Sequence, residues 1–265
     1  MITPEALQAF IKSIPPKPDV LQRTMILVNA GDLIKAAKVA QEDPALSSYL
    51  RNFVNNPMYF FKSEITDLNQ VFGILGTIKA KELLYHYMMH LFSPKKWSLF
   101  ALNENTFHNL QATLSTEWKN YLESEKINNE ALQTVISLLP ASIIATELIF
   151  SEHKDQVALL RQTKNLDYNT ILERLVGVDL FDLAQMIGTS WEMDEKALKV
   201  LKNASGLNTL DDSELSNCSR YMHMLLFYVL SQPDYIKAGL NDFLDFQPEF
   251  VEPISEAFQS SMGVS

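Results

Sequence analysis

Apolar residues recur at helical spacing along almost the whole chain. In the segment that follows Asp43, for example, Leu46, Leu50 and Val54 are four residues apart and fall on one face of a helix. Asp43 can accept a hydrogen bond from a free N–H group of the first turn, and Pro44 at the first helical position has no N–H group to lose. The pattern therefore predicts a helix that begins at this Asp-Pro pair.

The same periodicity predicts helices in most of the remaining sequence. No stretch shows the strict alternation of a half-buried strand bounded by hairpin turns, so the predicted fold class is all-α. Pro140 interrupts the most apolar helical segment, where we expect a kink. The other predicted helices are Asp19–Asn29, two segments at 66–75 and 77–92 that are divided at Gly76, and residues 105–122, 129–150, 169–177, 179–188, 194–203 and 211–230.

Changes in composition along the chain predict a division into parts. The sequence Ser93-Pro94-Lys95-Lys96 interrupts the helical pattern, and the stretch after Gln232 contains three prolines and few basic residues. We therefore expect two packed helical lobes that are joined by a linker and followed by an acidic extension. The predicted parts are residues 1–92 for the N-terminal lobe, 93–104 for the linker, 105–231 for the central lobe and 232–265 for the extension.

The chain has 265 residues and a formal net charge of −10, which is unevenly distributed. Residues 1–100 carry a net charge of +3, whereas residues 101–265 carry −13. Because affinity for nucleic acid comes largely from Lys and Arg, this balance argues against nucleic acid as the partner. A solvated acidic surface is the simpler interpretation. Contact with a basic partner, or with the basic half of a second copy in a homo-oligomer, is the alternative.

The sequence predicts neither a secretory leader nor a membrane span. The residues after Met1 lack a basic region followed by an uninterrupted apolar run. The most apolar stretches, 135–150 and 221–230, are shorter than the roughly 20 residues that a bilayer requires. The single cysteine, Cys218, has no partner for an internal disulfide, as is usual in a reducing compartment. We therefore expect a cytoplasmic protein with Cys218 in its core.

The common catalytic motifs are absent from the sequence. It contains no Gly-rich phosphate loop, no G-x-S-x-G, no C-x-x-C and no H-E-x-x-H. His86 and His90 are four residues apart and would share a helix face, where they could bind one metal ion. Because Glu82 is the only carboxylate nearby in the sequence, the favoured alternative is a pair of hydrogen-bonded histidines at the edge of the core. No cofactor is predicted.

Four short motifs follow one another within the first 80 residues. They are a proline-rich start, an Asp-Pro-Ala-Leu helix start, an Asn-x-Pro-x-Tyr turn and an I-x-x-L-x-Q-x-x-x-x-L-G helix. Each has a structural explanation: a stiffened chain, a helix cap, a turn closed by a side chain, and a left-handed residue at a helix end. In this order and spacing they resemble the HDOD family (HD-related output domain) of bacterial signalling proteins. The motif positions are Pro15, Pro16, Pro18, Asp43, Pro44, Leu46, Asn55, Pro57 and Gly76.

The resemblance implies kinship with HD metal-dependent phosphohydrolases, whose His-Asp pair binds metal on a helix. The matching segment here, residues 137–143, has Pro140 and Ala141 in those places, and the sequence contains no His-Asp dipeptide. Further on, Glu173, Gly177 and Asp179 resemble the family's E-x-x-x-G-x-D helix junction, in which we expect Asp179 to cap the next helix. The resemblance thus implies a degenerate HD-like fold without catalytic or metal-binding residues.

Two hypotheses for the function follow from the resemblance. The first is a non-catalytic module of signal transduction or gene regulation, which acts through an unidentified protein partner or through a small signalling ligand. The second is a divergent metal-dependent phosphohydrolase whose ligands are rearranged around His86, His90 or His108.

The first hypothesis requires residues that contact a partner. The candidates are Trp97 and Phe100 in the linker and His108 in the following helix. The aromatic residues of the acidic extension are further candidates, and for every aromatic residue packing within the chain is the favoured alternative. The aromatic residues of the extension are Phe243, Phe246 and Phe250.

Overall fold

Every regular element in the computed structural model is a helix, which confirms the all-α prediction for the residues that the structure describes. These are residues 2–14, 19–56, 63–207, 210–241, 243 and 245–262. The helices are α1 (Pro4–Ser13), α2 (Asp19–Asn29), α3 (Leu33–Ala40), α4 (Pro44–Val54), α5 (Leu68–Phe92), α6 (Glu104–Ser124), α7 (Glu130–Val135), α8 (Leu138–Glu152), α9 (Lys154–Lys164), α10 (Tyr168–Val176), α11 (Leu180–Ser190), α12 (Glu195–Asn203), α13 (Ser213–Leu230), α14 (Pro233–Lys237), α15 (Pro248–Val251) and α16 (Ser255–Met262), with a 3₁₀ turn at Glu252–Ile254.

Contacts between residues divide the chain into two compact units. One unit consists of Ser13–Ser93, and the other combines Met1–Lys12 with Pro94–Ser265. All residues of α1 except the last, Ser13, therefore group with the C-terminal part of the chain, although the sequence-based division assigns them to the N-terminal lobe. The predicted division into two lobes, a linker and an extension stays a prediction.

The smaller unit is built from α2, α3, α4 and α5. Helix α3 packs against α2 and α5, and α4 packs against α5. Its core contains Leu21, Val28, Leu46 and Phe72, none of which is exposed. Burial of such side chains contributes roughly 1.5–3 kcal/mol each, and it is this packing that holds short helices together.

The larger unit is organised around α8, which is apolar on all sides. Helix α11 packs closely along it, and α12 packs against α11 and α13. Gly188 in α11 permits this approach, since a Cβ atom there would lie 2.5 Å from Leu198 Cδ2 and 2.6 Å from Leu138 Cδ1. The apolar stretch Glu130–Glu152 is long enough to span a membrane by length and composition, but it is mostly buried inside the protein.

The apolar segment is interrupted as predicted, one turn before Pro140, where a proline removes the bond to the carbonyl group four residues earlier. The chain breaks between α7 and α8, and Pro140 lies in the first turn of α8 after Ser137. At this position proline costs α8 no hydrogen bond, because the first N–H groups of a helix have no partner within the helix.

Candidate functional site

Asp43, Pro44 and Leu46 shape the start of α4. The Oδ1 atom of Asp43 accepts hydrogen bonds from the N–H groups of Ala45 at 2.8 Å and Leu46 at 3.1 Å. Pro44 is the first residue of the helix, and the Leu46 side chain is completely buried. These family-signature residues therefore form a helix cap and part of the core.

Asn55 and Gly76 also have structural roles. The Asn55 side chain forms two hydrogen bonds with the main chain of Ile65. Its Nδ2 donates to the carbonyl oxygen at 2.9 Å, and its Oδ1 accepts from the amide N–H group at 2.7 Å. Gly76 has φ +67° and ψ 177° inside α5, a conformation that is open almost only to glycine. The helix is interrupted at the predicted place. The remaining signature residues lie outside the described residues: Pro15, Pro16, Pro18 and Pro57.

Residues 94–103, here called the 94–103 loop, precede α6 and contain two of the predicted contact residues. Phe100 is 1% exposed, and its ring centroid lies 5.2 Å from that of Tyr168 and 5.5 Å from that of Phe243. Phe100 is therefore a core residue in this structure and is not available to a partner. Its large apolar ring anchors the loop in an aromatic cluster.

A buried carboxylate holds the same loop from inside the protein. Glu147 of α8 is 1% exposed and accepts hydrogen bonds from three consecutive backbone N–H groups, those of Ser98, Leu99 and Phe100. The Ser98 hydroxyl donates a fourth, at 2.7 Å. Removing a carboxylate from water is costly, and these donors replace the lost hydration. Glu147 thus fixes the backbone of the loop.

The outer side of the loop carries aromatic and basic side chains. Lys95 and Lys96 are exposed, and neither forms an ion pair within the part of the chain that the structure describes. Trp97 is half-buried, and its ring centroid lies 5.2 Å from that of Phe107. His108 follows Phe107 in the chain and is exposed. The structure thus places Trp97 against the helical turn that carries His108.

Sequence reasoning singled out Trp97 and His108 but missed Glu147. In the sequence this glutamate only interrupts an apolar run. A charged residue in the middle of the most apolar helix signals a partner in the core, because buried carboxylates are almost always hydrogen-bonded. Which residues bind it could not be read from the sequence, since Ser98 is 49 residues away.

The junction of α10 and α11 contains partly buried acidic groups. Asp179 caps α11, as predicted, by accepting a hydrogen bond from the N–H group of Asp182 at 2.7 Å. Burial raises the pKa of Asp179 to about 6, and the charges of Asp182 and Glu173 act in the same direction. Burial also raises the pKa of Glu173. These acids are therefore harder to ionise than solvated ones.

The histidines are dispersed over the fold. His86 is half-buried in α5, whereas His90 is exposed and its ring centroid lies 6.5 Å from that of Tyr49. His223 is completely buried, and both its ring nitrogens form hydrogen bonds with main-chain atoms. Among the described residues, no group of three or more His, Cys, Asp or Glu could hold a metal ion.

Comparisons with known proteins agree on the fold. The HDOD domain family matches residues 14–206. An HDOD domain protein with unknown function from Geobacter sulfurreducens superposes with a TM-score of 0.57 at 13% identity, covering 98% of this chain and 97% of that one. No curated protein matches the chain.

Two structures of Shewanella amazonensis proteins also superpose on this chain over nearly its whole length. One, named "Putative phosphohydrolase", has a TM-score of 0.64 at 14% identity, over 97% of this chain and 96% of that one. The other, named "Putative metal-dependent phosphohydrolase", has a TM-score of 0.54 at 15% identity, over 98% and 95%. At such identities the likeness shows the fold alone.

Proposed function

The chain belongs to the HDOD family, and on that premise we propose that it is a non-catalytic signalling module that acts by binding a protein partner. Under this proposal it works in the bacterial cytoplasm, without a cofactor. Its partner is a signalling or regulatory protein, with a second copy of the chain as the alternative.

The observation that carries the proposal is the way the 94–103 loop is held. Glu147 and Phe100 fix the loop from the core, while Lys95, Lys96 and Trp97 lie on its outer side. A loop that is rigid before binding loses less conformational entropy when a partner docks. Tryptophan and cations are also well suited to binding a protein surface. A buried carboxylate is a costly way to hold a loop, so its use supports a role for the loop's conformation.

The residues at the places of the HD ligands support the non-catalytic part of the proposal. Pro140 and Ala141 stand where the resemblance implies the His-Asp pair, and both are buried in α8. Neither side chain carries a group that can coordinate a metal ion. A catalytic zinc site usually has three protein ligands, so the lost pair would have to be replaced by other residues.

The test of the interaction is affinity purification from the native cells with mild crosslinking and mass spectrometry. Three baits are compared: the natural protein, the loop variant Lys95→Glu/Lys96→Glu/Trp97→Ala, and the control variant Lys154→Glu/Lys164→Glu. The control has the same change of charge as the loop variant, on the exposed face of α9. We expect a recurrent partner with the natural protein and the control that is lost with the loop variant. Recovery of the same proteins with all three baits would contradict the assignment of the surface.

The phosphohydrolase alternative needs a separate assay. The purified protein is incubated with bis-p-nitrophenyl phosphate in the presence of Mn²⁺, Mg²⁺ or Zn²⁺. We expect no turnover above a heat-treated sample. Metal-dependent turnover that disappears in His108→Ala would instead favour the hydrolase.

A further inference from the structure

His223 links three parts of the larger unit through its two ring nitrogens. It lies in the middle of α13 and is completely buried. Its Nδ1 atom is 2.7 Å from the carbonyl oxygen of Ala204, which follows α12. Its Nε2 atom accepts a hydrogen bond of 3.1 Å from the backbone N–H group of Gln247. A carbonyl only accepts and an amide N–H only donates, so these partners require the neutral ring with its proton on Nδ1.

Gln247 belongs to residues 245–262, here called the C-terminal segment. Its apolar side packs along α13: Phe246 stacks on Phe227 with centroids 4.2 Å apart, and Phe258 lies 5.1 Å from Tyr221. The other side is acidic, and the sequence has no Lys or Arg after Lys237. The exposed carboxylates of the segment are Asp245, Glu249, Glu252 and Glu256.

Three polar contacts secure the segment to α13 within the described residues. The Gln247 N–H group donates to His223, Arg220 Nε donates to the carbonyl oxygen of Phe250 at 2.9 Å, and the side chains of Tyr221 and Ser261 are hydrogen-bonded to each other. The Phe250 ring also faces two of these residues, with its centroid 5.6 Å from Arg220 Cζ and 5.7 Å from the centroid of His223. Arginine keeps its charge at any accessible pH, whereas histidine does not. Burial raises the pKa of Tyr221 to about 12, so of these three contacts it is the one to His223 that depends on pH in the physiological range.

Protonation of His223 is incompatible with this geometry. A proton on Nε2 would point at the N–H group of Gln247, so that two donors would face each other without an acceptor. The surroundings offer the new charge little solvation: Phe181 of α11 stacks on the ring at 6.2 Å, and Phe246 lies at 5.5 Å. Burial lowers the pKa of His223, although the bond to Ala204 and the charge of Asp245 act in the opposite direction.

Other ionisable groups lie on the elements around His223 and could also respond to pH. Burial raises the pKa of Asp179 to about 6, so this group titrates in the same range as a histidine. The groups are Arg220 on α13, Asp179 and Asp182 on α11, Lys202 on α12, and Asp245 and Glu249 on the C-terminal segment.

We propose that the C-terminal segment is a proton-sensitive cover of α13, docked while His223 is neutral and released when His223 becomes protonated. Release would expose the aromatic side chains Tyr221, Phe227 and Tyr228, on which the segment packs. The proposal goes beyond the loop-mediated function and does not depend on it. The pKa of His223 is lower in the docked form than the ordinary histidine value of 6.5. The equilibrium constant for docking is therefore highest above pH 6.5, and it falls by up to tenfold for each pH unit below this value.

Hydrogen exchange of the full-length protein, followed by mass spectrometry at pH 7.5 and 5.5, tests the proposal. After correction for the intrinsic rates, we expect the protection of amides in residues 245–262 to be lower at pH 5.5 by up to about tenfold. Amides of α8 should keep their protection at both values. Equal protection of the C-terminal segment at the two values would overturn the proposal.

Variants and a second measurement identify the group responsible. His223→Gln cannot titrate and should remove the pH dependence, whereas His108→Gln should retain it. Asp179→Asn should also retain it, which separates the histidine from the neighbouring carboxyl group. In the natural protein, the NMR signal of His223 Cε1–H should titrate at the pH at which the segment loses protection. Different midpoints, or pH-dependent protection that persists in His223→Gln, would overturn the proposal.

Discussion

Glu147 and Ser98 are 49 residues apart in the chain and are joined by two hydrogen bonds, since the amide and the hydroxyl of Ser98 both donate to Oε1 of Glu147. The same carboxylate accepts from the next two amides. The conformation of a surface loop is therefore decided by a residue of the central helix.

Replacement of Glu147 by Gln should loosen this loop. The amide of glutamine has one acceptor oxygen and would turn an N–H group toward the donors of residues 98–100. We expect the free energy of unfolding in urea to fall by about 2–4 kcal/mol. Trypsin should also cleave after Lys95 and Lys96 more rapidly. Glu152→Gln, at the exposed end of α8, is the control and should change neither quantity. Unchanged cleavage in Glu147→Gln would show that the loop is held by other contacts.

Replacement of Asn55 by Ala should destabilise the smaller unit. The change removes both bonds to Ile65 and the bond from Nδ2 to the carbonyl oxygen of Arg51. The partly buried main-chain groups of Ile65 would lose their partners, and we expect a loss of about 1–3 kcal/mol in urea denaturation. Asn52→Ala, on the exposed side of α4, should stay within about 0.5 kcal/mol of the natural protein. A similar result for both variants would contradict the role given to Asn55.

Two glycines of α5, three residues apart, should respond oppositely to alanine. Gly76 has a positive φ of +67°, so Gly76→Ala is expected to cost about 1–3 kcal/mol in thermal or urea denaturation. Gly73 is helical, and a Cβ atom there would meet no other atom within 4 Å. Gly73→Ala should therefore stabilise the protein by about 0.5–1 kcal/mol. Equal effects at the two positions would mean that the chain does not need the conformation seen at Gly76.

Asp179 should make the stability depend on pH in a characteristic direction. Its pKa is about 6 in the folded protein and near 3.8 in the unfolded chain, so the folded protein binds more protons between these values. This contribution to stability is complete below pH 3.8 and is lost as the pH rises through 6. Urea denaturation between pH 4.5 and 7.5 measures it.

Two substitutions separate the charge of Asp179 from its role as a helix cap. Asp179→Asn retains a capping side chain and should remove the pH-dependent contribution. Asp179→Ala removes the same contribution but also loses the cap, and should be less stable than the Asn variant by about 1 kcal/mol. A pH profile of Asp179→Asn identical to that of the natural protein would refute the assignment.

Local sequence determined most of the helices of this protein. The bounds of α2 and the beginning of α4 agree with the prediction, because their signals lie within a few residues: apolar periodicity, the Asp43 cap and the adjoining proline. The interruption at Gly76 and the cap at Asp179 are equally local. The motif series in the first 80 residues was sufficient to identify the HDOD family.

Tertiary structure decided what the polar and aromatic residues do. Phe100 and Trp97 look alike in the sequence, yet one is buried in an aromatic cluster and the other is half-exposed on the loop. The partners of Glu147 and His223 are 49 and up to 24 residues away in the chain. Hydrogen bonds to a buried side chain depend on which main-chain groups the packing of distant helices brings within hydrogen-bonding distance of it. Periodicity and capping carry no such information, so the bonds between Glu147 and the 94–103 loop, and between His223 and Gln247, became visible only in the folded chain.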